Sequence, residues 1–296
     1  MSLSDAALTS RVSDYVQALE DADRDAVSVC AVIETGLLND GERKALWQRF
    51  EGQPWLQQPQ FQALKPLGPW LFDDDIETLL SDVYVMAERG FHGVLITHQP
   101  VAQEAVKLGE LCVVKDANGE EQLLRFYAPN VMPVLLHRFS DMPWYDRLFG
   151  SVGAWWLPGL DGWEEFPGGW RSHKPVVDSE EKITLTPALL QAIGSDPVTH
   201  RLLGELEQSS PALFNTSCPG LRLAMVDKAV TAARASGFDD IQDLSVYVAY
   251  CVAYGMQVLS EPGFSQAVEM SVQRPRSLAE NLKSVASHSV NGERHG

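Results

Sequence analysis

The sequence lacks most of the motifs that tie a chain to a particular chemistry. It has no glycine-rich phosphate cradle, no nucleophile elbow of the Gly-x-Ser-x-Gly kind and no His-Glu-x-x-His pair, so the commonest nucleotide-handling, hydrolase and metalloprotease readings lose their usual support. Cysteine is scarce: Cys30, Cys112, Cys218 and Cys251 lie far apart in apolar surroundings, which argues against a disulfide scaffold and for buried, reduced thiols. Basic residues are also few, 23 against 40 acidic, for a formal charge of −17. No Lys/Arg run offsets that balance, so neither a nucleic acid nor an anionic membrane is expected as the main partner. No apolar stretch approaches the roughly 20 residues of a membrane span, and the first residues lack the charged-then-apolar pattern of a signal peptide, so the expectation is a cytoplasmic protein without membrane insertion. No cofactor is expected either.

What the sequence does hold is core. Its 296 residues are 45% hydrophobic and 9% aromatic, enough for two packed lobes. Residues 4–22 can form an amphipathic helix with Val12, Tyr15, Val16 and Leu19 on one face. Val27 to Ile33 and Gly93 to Thr97 read as buried strands, and an edge strand is expected near Trp70 to Phe72, after a proline-broken loop. Asp73-Asp74-Asp75 opens a helix that Gly90 closes. Beyond Thr186 the pattern is helical: Leu189 to Ile193, a helix to about Gln208, Leu221 to Ala235, then Ile241 to Leu259 with Asp239 or Asp240 as cap. The fold class expected is α+β: an N-terminal lobe, residues 1–178, with a mixed β-sheet and flanking helices, then an all-α lobe, 179–272, and a polar tail, 273–296, fraying beyond Val285.

The organising stretch runs from Leu111 to Phe139. Two apolar runs, Leu111 to Val114 and Gln122 to Tyr127, flank Lys115-Asp116-Ala117-Asn118-Gly119-Glu120, the pattern of a β-hairpin. Pro129 suits the first turn of a following helix, which Val131, Val134, Leu135 and Phe139 continue. Alternation places Leu123, Arg125 and Tyr127 on one strand face. A charge such as Arg125 inside an apolar run calls for an acidic or carbonyl partner, which predicts a structural ion pair.

Other polar residues carry weaker signals. His92 and His98 share strand parity but stand about 20 Å apart in an extended chain, too far for one metal. Asp73 to Asp75 are explained by helix capping more simply than by a cation. Trp144, Trp155, Trp156, Trp163 and Trp170 fall among glycines and prolines; they either fill a core or present aromatic anchors to a partner. On the last long helix Tyr247, Tyr250 and Tyr254 form a stripe that is either core or the wall of a groove for a partner helix.

The run Leu124-Arg125-Phe126-Tyr127-Ala128-Pro129-Asn130-Val131 resembles the turn of the type VI secretion effector adaptor and chaperone family, domain of unknown function 4123. The strands at Val29 to Ile33 and Gly93 to Ile96, and Leu148-Phe149-Gly150 ahead of Trp155-Trp156, extend the resemblance over about residues 25–160; Ala128 and Asn130 depart from the family's usual Asp and Arg. The resemblance implies no catalysis. It implies an adaptor that holds a toxin effector through an apolar helical segment and helps load it onto the secretion spike protein. Trp155, Trp156, Trp163, Trp170, Tyr247, Tyr250 and Tyr254 are then the candidate grip, with Arg125, Tyr127 and Pro129 as a structural motif. An immunity protein that blocks a toxin, or an enzyme with an unrecognised hydrolase-type site, are the alternatives.

Overall fold

The computed structural model describes residues 5–24, 26–170, 182–194, 196–273 and 276–292. The expected polar linker, 173–181, lies outside them. The chain divides into two compact units, one of Met1–Gly194 with Ser217–Leu221, the other of Ser195–Thr216 with Arg222–Gly296.

The first unit is built on a six-stranded sheet ordered β2-β3-β1-β4-β7-β8: Gly52–Pro54, Pro69–Asp73, Ser28–Glu34, Phe91–Thr97, Val152–Gly159 and Gly162–Pro167. Every pairing in it is antiparallel, where a mixed sheet was expected. Helical crossovers do return β3 and β4 in the same direction, but β1 lies between them, so no two parallel strands become neighbours. The strand around Trp70 to Phe72 is likewise internal; the short β2, which holds Pro54, occupies the edge in its place.

Both faces of the sheet are covered, which explains why β4 is buried at all seven positions. On β1, Cys30 and Val32 join one core while Ala31 and Ile33 join the other. The first core collects helix α6 (Val101–Leu111), α7 (Met132–Phe139), α8 (Pro143–Phe149) and the 124–131 turn. The second is closed by α1 (Asp5–Gln17), α3 (Asp40–Arg49) and the helical run from Ile76 to Gly90, which contains a π-helical stretch at Leu79–Tyr84. Asp75 caps that run by accepting the Thr78 N–H at 2.9 Å.

One irregularity decides where a key side chain goes. Opposite β1, Ala31 pairs with Val94 and Ile33 with Phe91, so β4 carries an extra residue, and Phe91 and Val94 face the same core despite being three apart. Gly93 sits in this bulge at φ +119°, and a Cβ there would lie 2.2 Å from the Trp156 carbonyl oxygen. The bulge turns His92 toward the opposite core and breaks the parity it was expected to share with His98.

The predicted hairpin forms as β5 (Val113–Lys115) and β6 (Glu121–Leu123), shorter than expected because α6 continues to Leu111. Asp116 organises its turn, taking the N–H groups of Asn118 and Glu120 at 2.8 and 2.9 Å, and Gly119 supplies the positive φ. Residues 124–131 are not strand. They form a compact turn in which Ala128 N–H reaches Arg125 O and Met132 N–H reaches Ala128 O. Pro129 therefore precedes α7, and Pro133 takes the helix's first-turn position.

The second unit is all helical, as expected: α10 (Pro197–Ser209), α11 (Pro219–Ala235), α12 (Ile241–Tyr254), α13 (Pro262–Gln273) and α14 (Leu278–Gly292). Asp240 caps α12 through the N–H groups of Gln242 and Asp243, and Gly237 closes the turn after α11 with φ +94°. The segment expected to fray is helix α14, fixed at its start by Leu278, which is fully buried and donates its N–H to Asp243. A polar sequence stays helical there because only one narrow face has to be apolar. All four cysteines are free and buried.

The bulge predicts that Gly93→Ala lowers the stability of the first unit by about 2–4 kcal/mol, through a disfavoured φ and a clash with a backbone carbonyl. Chemical denaturation checks it; an unchanged midpoint would mean the bulge relaxes freely.

Candidate functional site

The polar centre of the first unit forms where β1 ends, β4 begins and the 124–131 turn crosses them. Arg125 Nε donates to Glu34 Oε2 at 2.9 Å, and His92 Nε2 donates to the same oxygen at 3.1 Å. The Tyr127 hydroxyl bonds the guanidinium, and its ring meets the His92 ring edge-on with centroids 5.1 Å apart. The acidic partner expected for Arg125 is thus Glu34, 91 residues earlier in the chain. Glu34 itself carries no local signal: a glutamate ending a strand reads as solvent-facing. Pro129 meets the second chain crossing, since a Cβ on Gly220 would lie 3.2 Å from its Cδ.

Burial works against the Glu34 carboxylate, but the His92 hydrogen bond and then the charge and hydrogen bonds of Arg125 outweigh it, and its pKa lies below the usual carboxylate value. Burial likewise depresses His92, against the pull of Glu34, and raises the Tyr127 hydroxyl and the Cys112 thiol. The neutral imidazole donates through Nε2, leaving Nδ1 buried with no protein partner. Glu34 Oε2 is saturated by donors, and the half-exposed Arg125 turns Nε and Nη2 to it. The arrangement locks three chain segments and offers no activated base or nucleophile.

A second buried network was not anticipated. The Glu104 carboxylate, fully buried, accepts from Thr97 Oγ1 at 3.0 Å, Gln99 Nε2 at 2.6 Å and Ser151 Oγ at 2.7 Å, and pairs with Lys107 Nζ at 2.6 Å. Lys107 also donates to Ser151 Oγ and to the Leu148 carbonyl. A serine beside a lysine has the composition of a hydrolase dyad, but here Ser151 gives its proton to the Glu104 carboxylate, and the lysine, its pKa lowered by burial, is ion-paired with that same carboxylate. The i, i+3 spacing of Glu104 and Lys107 at the start of an apolar helix was the available signal. Among the described residues no cluster of three or more His, Cys, Asp or Glu side chains is placed to hold a metal.

The proposed aromatic grip divides sharply. Trp155 and Trp156 are fully buried on opposite faces of β7, Trp155 against Trp55 and Phe126, Trp156 against Tyr15. Neither reaches a partner: alternation on a strand covered on both sides leaves no exposed face. Trp163 is partly buried against Tyr84 and Phe91, and Trp170 stacks on His98 at 3.5 Å and donates to the Tyr15 hydroxyl. In the second unit Tyr247 is core, bonding Ser236, whereas Tyr250 is half-buried and Tyr254 is 62% exposed. Tyr250 packs on both Tyr254 and Phe264. Beside them an open groove of about 410 Å³ is lined by Ser236, Tyr247, Leu259, Phe264, Val268 and Val272.

Both titrations at Glu34 and His92 push stability the same way. The Glu34 contribution is complete above its ordinary value of 4.5 and is lost as the pH falls through its lower folded value. His92 resists protonation when folded, so stability also falls as the pH drops through its ordinary value of 6.5. The urea midpoint should decline from about pH 7 toward about pH 4, and His92→Gln should flatten the upper part of that decline; equal slopes in both proteins would refute the His92 contribution. Among the described residues no helix is long and apolar enough to cross a membrane. No curated protein and no solved structure matches the chain. Residues 31–144, from β1 through the hairpin and turn to the start of α8, match the family described as a domain of unknown function, DUF4123.

Proposed function

We propose that the protein is a non-catalytic adaptor of a bacterial type VI secretion system, which holds a toxin effector in the cytoplasm and helps load it onto the spike protein. The observation that carries this reading is the match of residues 31–144 to DUF4123, together with the resemblance of the 124–131 turn to that of the adaptors. The Arg125–Glu34–His92 centre lies inside the matched region and acts as a lock, so this domain serves as a scaffold.

Cargo contact falls to the exposed aromatics of the second unit. Tyr250 and Tyr254 present a polar-tipped aromatic surface next to a groove of mixed character, whose apolar floor of Leu259, Phe264, Val268 and Val272 is rimmed by Glu269 and Gln273, suited to an amphipathic helix of the effector. The buried tryptophans support that surface only by keeping the first unit folded.

Tyr250→Ala combined with Tyr254→Ala should cut recovery of the effector in a pull-down by about tenfold, the cost of two interface aromatics, and leave the melting temperature nearly unchanged. Trp155→Ala should instead lower stability by about 3–5 kcal/mol, as truncation of a fully buried aromatic does. Full effector retention by the double tyrosine variant would remove the site assignment. Undiminished effector secretion by cells lacking the protein would remove the function.

A further inference from the structure

The first unit carries a second groove whose charge is opposite to that of the chain. It has a volume of about 390 Å³ and is lined by the end of α7 (Arg138, Phe139), by Met142, by the extended segment Lys182, Thr184 and Thr186, and by Leu189. No acidic residue is among these, although acids outnumber bases 40 to 23 overall.

The wall of this groove is built. Residues 183–185 add a one-rung parallel strand to the hairpin: Lys115 N–H donates to Ile183 O at 2.8 Å and Leu185 N–H to Lys115 O at 2.6 Å. Ile183 and Leu185 are buried at 1% and 9% exposure, which by alternation turns Lys182, Thr184 and Thr186 to the other side. Thr186 is committed to capping the helix Pro187–Ile193 through Leu189 N–H, and Lys182 pairs with Glu121. Among the described residues the Arg138 guanidinium, the Thr184 hydroxyl and the Thr184 N–H have no protein partner. Phe139, Met142 and Leu189 give the groove an apolar floor beside these donors.

We propose that this groove docks a short acidic segment of a partner protein, with one large apolar side chain on Phe139, Met142 and Leu189 and a carboxylate on Arg138 and the Thr184 donors. Charge complementarity selects that occupant. A basic segment would meet the uncompensated Arg138 cation, since Lys182 is already balanced by Glu121, and the acidic remainder of the chain repels acidic segments elsewhere. Arg138 supplies a planar fork suited to a carboxylate, and Thr184 supplies neutral donors that complete its shell. The assignment does not rest on the adaptor reading; any partner with such a segment meets the same groove.

The probe is a fluorescein-labelled hexapeptide with two acidic residues on each side of a central Leu-Phe, titrated with the full chain and followed by anisotropy. The expected result is binding that weakens about fivefold or more in Arg138→Gln and falls steeply with added salt, because a screened charge pair carries it. A peptide with Ser-Ser at the centre should bind several-fold less tightly, and one with lysines for the acids should not bind. Arg138 is exposed and makes no bond to another described residue, so Arg138→Gln should keep its melting temperature, and Arg138→Glu should abolish binding. Equal binding by wild type and Arg138→Gln, or equal binding of the lysine peptide, overturns the proposal. So does an affinity that rises when Asp178, Glu180 and Glu181 are replaced by Ser, since the occupant would then be the chain's own acids.

Discussion

The first unit depends on the Glu34 carboxylate, which gathers donors from two distant parts of the chain. A carboxylate largely withdrawn from water is costly unless charged or polar donors replace the lost hydration. His92 and Arg125 replace it here, from 58 and 91 residues away. Because both bind the same oxygen, β1, β4 and the turn that crosses them cannot be placed independently. The bulge at Gly93 is part of the same constraint, since without it His92 would face the wrong core. Tyr127 closes the arrangement by meeting both the guanidinium and the imidazole, and Trp55 and Phe126 keep water from its inner side.

The DUF4123 match begins within β1 and runs past the turn, so it contains all three segments that meet at Glu34. The matched span holds both ends of the Glu34 lock and the hairpin whose outer side carries residues 183–185. It leaves out β7 and β8 of the sheet and the whole helical unit. Under the adaptor reading, the matched span is a frame, and the cargo is met by the tyrosines of the helical unit outside it.

Local patterns made much of this legible in the sequence. Runs of β-branched residues marked β1 and β4, Asp240 and Gly237 marked the boundaries around α12, and an arginine in an apolar run demanded an acid. What stayed hidden depended on long-range pairing. Glu34, at a strand end, carried no signal of its own, because its partners Arg125 and His92 arrive from elsewhere. The antiparallel character of the sheet came from β1 lying between two parallel strands, a matter of strand order that no window reveals. Trp155 and Trp156 fitted either packing or an interface, and only the cover on both faces of β7 decides between them. The Glu104 network escaped notice because its partners come from β4, α6 and the loop before β7, each polar residue unremarkable alone.

The buried thiols give the molecule an internal reporter of opening. Cys30, Cys112 and Cys218 sit in the first unit and Cys251 in the second, and burial raises all four pKa values, that of Cys251 to about 12. A folded molecule therefore presents almost no thiolate to an alkylating reagent or oxidant. Any modification that does occur reports a transient exposure of the unit that bears it, so the wild-type chain distinguishes breathing of its sheet from breathing of its helices without an engineered label.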